Sequence, residues 1–176
     1  MKRKYIFLFI ITFVIPFIAF SQEEERIKNA FQGTRFVNEQ SVNLTDKGEL
    51  LLFIQHRFGE IDGGLYQLFG LDQATMRMGF EYGFGHNLNI GFGRSTFMKT
   101  YDLYAKARIA GQTSSFPLTI AAVATGSVPT LRDFFPDDYN SFSDKLSGNL
   151  QLMVAKSFDK FGFQVSPGYI STGYLL

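Results

Sequence analysis

From Ala74 to Gly83 the chain alternates strictly. Ala74, Met76, Met78, Phe80 and Tyr82 occupy one parity; Thr75, Arg77, Gly79, Glu81 and Gly83 occupy the other. Successive side chains of a strand point to opposite faces of its sheet, so a strand here has one apolar face and one face of small or charged groups. After a turn at Phe84–Asn87 the pattern returns, with Leu88, Ile90 and Phe92 against Asn89, Gly91 and Gly93. It returns again with Tyr101, Leu103, Ala105, Ala107 and Ile109 against Asp102, Tyr104, Lys106 and Arg108. The same rule fits residues 49–58 and 146–158, and fits 118–125 less sharply. Phe161, Phe163, Val165 and Tyr169 mark a last strand. Seven strands are expected from Gly48 onward. Arg35 to Leu44 is a further candidate, though it alternates poorly.

Connector lengths fall into two sets. Phe84–Asn87, Ala110–Ser115 and Asp159–Lys160 are short, whereas Gly59–Asp72 and Ser127–Lys145 are long. Followed through the alternation, the short turns lie at one end of the sheet, which is the habit of outer-membrane barrels. Alternation by itself also describes a soluble sandwich or a ligand-binding cup, whose apolar face is the core. Two features favour the membrane form. The strands run to about nine to eleven residues, the length a tilted transmembrane strand needs. Aromatic residues (Phe58, Phe80, Tyr82, Tyr101, Phe158 and Tyr169) fall near strand ends, where interfacial girdles sit.

The first 21 residues read as an export signal. Lys2, Arg3 and Lys4 precede an apolar run from Tyr5 to Phe20, and Ala19-Phe20-Ser21 supplies small residues for cleavage before Gln22. An uncleaved anchor is the alternative, but a spanning helix needs about 20 apolar residues. There is no cysteine, hence neither a lipid-attachment site nor a disulfide framework. The signal holds three of the 17 Lys and Arg and none of the 16 Asp and Glu. That leaves 14 basic against 16 acidic residues, a formal charge of −2. This balance argues against nucleic acid as a partner. Residues 22–47, opening on Glu23-Glu24-Glu25, read as a periplasmic segment ahead of the barrel.

Several short runs resemble a known family: Gly33-Thr34-Arg35, Ser41-Val42, His56-Arg57-Phe58-Gly59, Phe69 through Arg77, Gly91-Phe92-Gly93-Arg94-Ser95 and Lys99-Thr100-Tyr101-Asp102. Together they resemble an uncharacterised β-barrel family of Gram-negative envelopes, a domain of unknown function. The resemblance covers roughly Gly33 to Tyr169. It implies an outer-membrane barrel and no particular activity. It also implies several more strands after Tyr169, about four or five if closure needs an even count. On that expectation the chain is C-terminally truncated.

No catalytic constellation is legible. His56 lies on the apolar parity of its strand and His86 in a turn; neither pairs with a ligand-type residue at metal spacing. Ser95 has no partner base in sequence. Gly83-Phe84-Gly85 and Gly91-Phe92-Gly93 lack the third glycine and the helix of a dinucleotide motif, so they read as glycines facing a crowded interior. Asp133, Asp137 and Asp138 match no calcium-loop spacing. The constellation that remains is the mixed-charge face: Arg57, Arg77, Glu81, Asp102, Lys106 and Arg108. In a barrel these face the lumen, where they interlock as salt bridges or line a water-filled pore.

The expected fold is therefore all-β, an antiparallel up-and-down meander of outer-membrane type. It is incomplete at about seven or eight strands and preceded by a signal-peptide helix. Residues 1–21 are the signal, 22–47 the periplasmic segment and 48–176 the barrel strands. The expected function is a structural barrel or passive pore, without enzymatic activity or cofactor. Its expected partners are the lipid bilayer of the outer membrane and the barrel-assembly machinery. The alternative is a soluble periplasmic barrel that binds an apolar ligand within its aromatic face.

Overall fold

A computed structural model describes residues 30–37, 39–131, 141–158 and 160–173. The signal segment 1–21 and the three loop aspartates lie outside these residues. Eight strands follow in chain order: β1 Leu50–Arg57, β2 Thr75–Phe84, β3 Leu88–Ser95, β4 Tyr101–Ala110, β5 Thr119–Val128, β6 Ser147–Ser157, β7 Gly162–Val165 and β8 Gly168–Ser171. Each of β1 to β6 pairs antiparallel with the next, and β8 pairs with β6 beside β7. The result is a half-barrel wall, a meander without crossovers.

The last two strands continue one line. β7 pairs with Val154–Ser157 and β8 with Gly148–Gln151 of the same neighbour. The break falls at Ser166–Pro167, since proline has no N–H to give a ladder. Its carbonyl still accepts from the Leu152 N–H at 2.9 Å. The single last strand expected from sequence is thus present, with an interruption.

Register places residues of like parity side by side. Leu52, Phe80, Phe92 and Leu103 form one row across β1 to β4. On the opposite face Glu81, Gly91 and Tyr104 form another. Phe80 stands in the middle of the ten-residue β2 and not at its end, so it belongs to the apolar band between the girdles. Turn-end aromatics do cluster: Tyr82 and Phe84 meet edge to face at 4.6 Å, and Phe158, Phe161 and Phe163 pack together.

Burial runs opposite to that of a soluble protein. Leu52 and Leu103 are 56% and 57% exposed, whereas Glu81 and Lys106 are fully buried. Large apolar side chains left exposed across one whole face suit hydrocarbon and not water. The soluble cup with an apolar interior requires the reverse orientation. Among the described residues no helix is long and apolar enough to cross a membrane.

The β2–β3 turn, the β4–β5 connector and the β6–β7 connector lie at one end. The long β1–β2 and β5–β6 connectors lie at the other, together with a short one, residues 96–100, between β3 and β4. The β1–β2 connector is ordered by tight turns, with Leu68, Phe69 and Gly70 all left-handed. It is closed at its base by the Gly59 N–H donating to the Gly70 carbonyl at 2.8 Å.

Candidate functional site: the inner face

All six charged residues singled out from sequence share the face opposite the apolar one. Four of them meet in pairs. Arg77 donates twice to Asp102, through Nε to Oδ1 at 2.8 Å and Nη2 to Oδ2 at 2.5 Å, and once to Gln55 Oε1 at 3.1 Å. The bidentate fork fixes β2 to β4 in one geometry. Lys106 Nζ lies 3.7 Å from Glu81 Oε2, both side chains at zero exposure. Glu81 is further saturated by Tyr104 OH at 2.5 Å, Asn89 Nδ2 at 2.8 Å and Thr45 Oγ1 at 2.5 Å. A buried carboxylate with this many donors is satisfied as an anion.

The other two lie at opposite ends of the face. Arg57 is exposed at the long-connector end, where it lines a cleft of about 300 Å³ with Arg77, Thr75 and Ser95. Arg108 sits at the turn end, beside residues 44–47, Gly85 and His86.

Two glycines make the pairs possible. Arg77 and Asp102 lie two strands apart, as do Glu81 and Tyr104, so both links must cross β3. A Cβ on Gly93 would strike the Arg77 guanidinium, and one on Gly91 would strike the Tyr104 ring. Gly91→Ala should therefore push Tyr104 off Glu81 and destabilise the wall by about 1–3 kcal/mol, the usual cost of overpacking. Gly126→Ala, where nothing lies within 4 Å, should change little. Denaturant titration of protein refolded in lipid vesicles checks both; equal effects would remove the special role of Gly91.

The inner face carries a second layer that the sequence reading did not find. Residues 34 and 41 are joined by the Ser41 N–H donating to the Thr34 carbonyl at 3.1 Å, and Phe36 N–H donates to the Glu39 carbonyl at 2.8 Å. Arg35 and Gln40 form an isolated bridge. The arms 33–37 and 39–45 are thus a small hairpin, not a strand of the wall. Lys106 Nζ donates to the Thr34 carbonyl at 2.9 Å and to Gln40 Oε1 at 3.3 Å. The Arg35 guanidinium lies 4.5 Å over the Tyr104 ring. Gln164 grips the other arm, donating to the Gln40 carbonyl at 2.8 Å and accepting from the Val42 N–H at 2.9 Å. Gln151 donates to Glu39 at 2.7 Å. Val42 enters a small apolar cluster with Tyr104, Ala121, Val123, Met153 and Ala155. The signal in sequence was the run Gln40, Ser41, Asn43 and Thr45: short polar side chains suit an interior that is itself polar.

Among the described residues no group of His, Asp and Glu side chains converges to hold a metal ion. His56 lies on the outer face against Phe58, and His86 is in the β2–β3 turn.

An apolar exterior, a charged and crowded interior and a pure meander define a membrane β-barrel wall. Residues 31–176 match the family described as a membrane bound beta barrel domain (DUF5777), and the chain belongs to it. That family has no known function. No curated protein and no solved structure matches the chain.

Proposed function

We propose that this chain forms a wall of an outer-membrane barrel with a structural role, its lumen packed and not an open diffusion pore. The observation that carries this reading is the full burial of Glu81 and Lys106 beneath the chain's own residues 34–45. A pore lining is hydrated; here the mid-strand charges are spent on one another and on the hairpin. Arg57, Arg77, Glu81, Asp102, Lys106 and Arg108 are on this reading interior residues that hold the wall together. The exterior is matched to lipid, and delivery there calls on export and the assembly machinery. Two measurements test the proposal. Fractionation should recover the protein with outer membranes, and recovery in the soluble periplasm would overturn the location. In planar bilayers the intact barrel should be electrically silent, whereas a steady open conductance would restore the passive-pore reading.

A further inference from the structure

The hairpin differs from the wall in how it is held. Strands β2 to β6 are held by backbone ladders on both sides, and the edge strands β1, β7 and β8 on one. The hairpin shares no ladder with them; its bridge, at Arg35 and Gln40, is internal. It also satisfies much of its own backbone, for Ser41 Oγ donates to the Gly33 carbonyl at 2.6 Å and accepts from the Asn43 N–H at 3.2 Å. Its links to the wall are mostly side-chain hydrogen bonds from Lys106, Thr45, Gln151 and Gln164, plus the single apolar contact group around Val42. Each such hydrogen bond can be exchanged for one to water when the unit opens.

Its attachment points lie at the short-turn end. Ala30 sits beside Gly162 at the start of β7. The other foot is pinned where the Gly48 N–H donates to the Gly83 carbonyl at 2.9 Å, next to the β2–β3 turn. Gly48 there is left-handed, with φ of 82°. The tip reaches mid-wall, where Glu39 meets Gln151. The unit therefore enters and leaves from one side, pivoting about residues 46–48, without disturbing a strand pair. The family match begins at residue 31, at the foot of this hairpin and not at β1, so the hairpin is part of the barrel domain.

We propose that residues 33–37 and 39–45 form a plug, a separately seating unit that fills the lumen and withdraws toward the short-turn end while the wall stays folded. This rests on the packed-lumen reading and adds which element does the packing and how it opens. Local opening of a weakly held unit below the global unfolding transition is the physical basis.

The chain has no cysteine, so one engineered thiol is a unique reporter. Val123 is 3% exposed and lies under Val42, and Val123→Cys removes volume without adding any. The full chain carrying this change would be folded in detergent and titrated with urea. Thiol labelling by a charged, water-soluble reagent would be followed beside the heat-modifiable gel shift of the intact wall. An outer-face control, Leu103→Cys, tracks the wall alone. The plug predicts slow labelling in buffer and a rise of at least tenfold in rate at urea concentrations where the gel shift is unchanged. Labelling that rises only together with loss of the gel shift would overturn the plug and leave the packed lumen standing. Fast labelling in buffer by a fully folded wall, together with bilayer conductance, would overturn the packed-lumen reading itself. Should Val123→Cys fail to fold, Ala155→Cys, 1% exposed in the same cluster, gives the same readout.

Discussion

Replacing Lys106 by methionine should destabilise the barrel by about 3–5 kcal/mol, the cost of leaving one member of a buried ion pair uncompensated. The loss has two parts. Glu81 keeps its bonds from Tyr104, Asn89 and Thr45 but loses the charge that balances it. The hairpin loses both links that Lys106 Nζ makes to Thr34 and Gln40. Methionine fills similar volume, so little of the change comes from a cavity. The double variant Lys106→Met with Glu81→Gln should cost clearly less than the two single changes added together, because it leaves no buried charge. Equilibrium unfolding in lipid vesicles measures all three. Strict additivity would mean that the two side chains act independently, and the interlocked interior would lose its centre.

Phe80→Arg should cost about 2–4 kcal/mol, the penalty for a cation at the bilayer midplane of a barrel. Phe80 is suited to the test because it is central in β2 and flanked in register by Leu52 and Phe92. Arg94 supplies the internal comparison. It sits on the same outer face but at the long-connector end of β3, where its guanidinium lies 5.5 Å over Tyr101. There a cation reaches the interface, so Arg94→Leu should be close to neutral. In detergent of short chain length the Phe80→Arg penalty should shrink, since the midplane is thinner. An unchanged stability of Phe80→Arg in bilayers would place this face in water or protein and overturn the lipid-facing exterior.

The wall was legible because a strand reports its own faces locally. Met76, Met78, Phe80 and Tyr82 repeat at the period of the pleat, and no distant residue is needed to read them. The shared face of the six charged residues followed from the same parity. Their pairing did not: whether Glu81 on β2 would meet Lys106 or Arg108 on β4 depends on register, which the turn residues only suggest. The crossings over Gly91 and Gly93 needed two neighbouring strands in place before the glycines had meaning beyond a crowded interior. The hairpin was the least legible part. Residues 35–44 alternate poorly because they do not separate lipid from lumen; the hairpin meets polar partners at Lys106 and Gln164 and an apolar cluster at Val42. Their fit is set by Lys106, Gln151 and Gln164, more than 65 residues away along the chain.

That separation bears on the order in which the molecule is made. Residues 33–45 precede every strand of the wall in the chain. Yet their seat is complete only when Gln164 on β7 arrives, 124 residues beyond Gln40. Contacts this distant in sequence form slowly, because the chain must close a large loop first. The earliest part to emerge is then the last to find its place. On the packed-lumen proposal, its seat is then filled only after the wall that forms it.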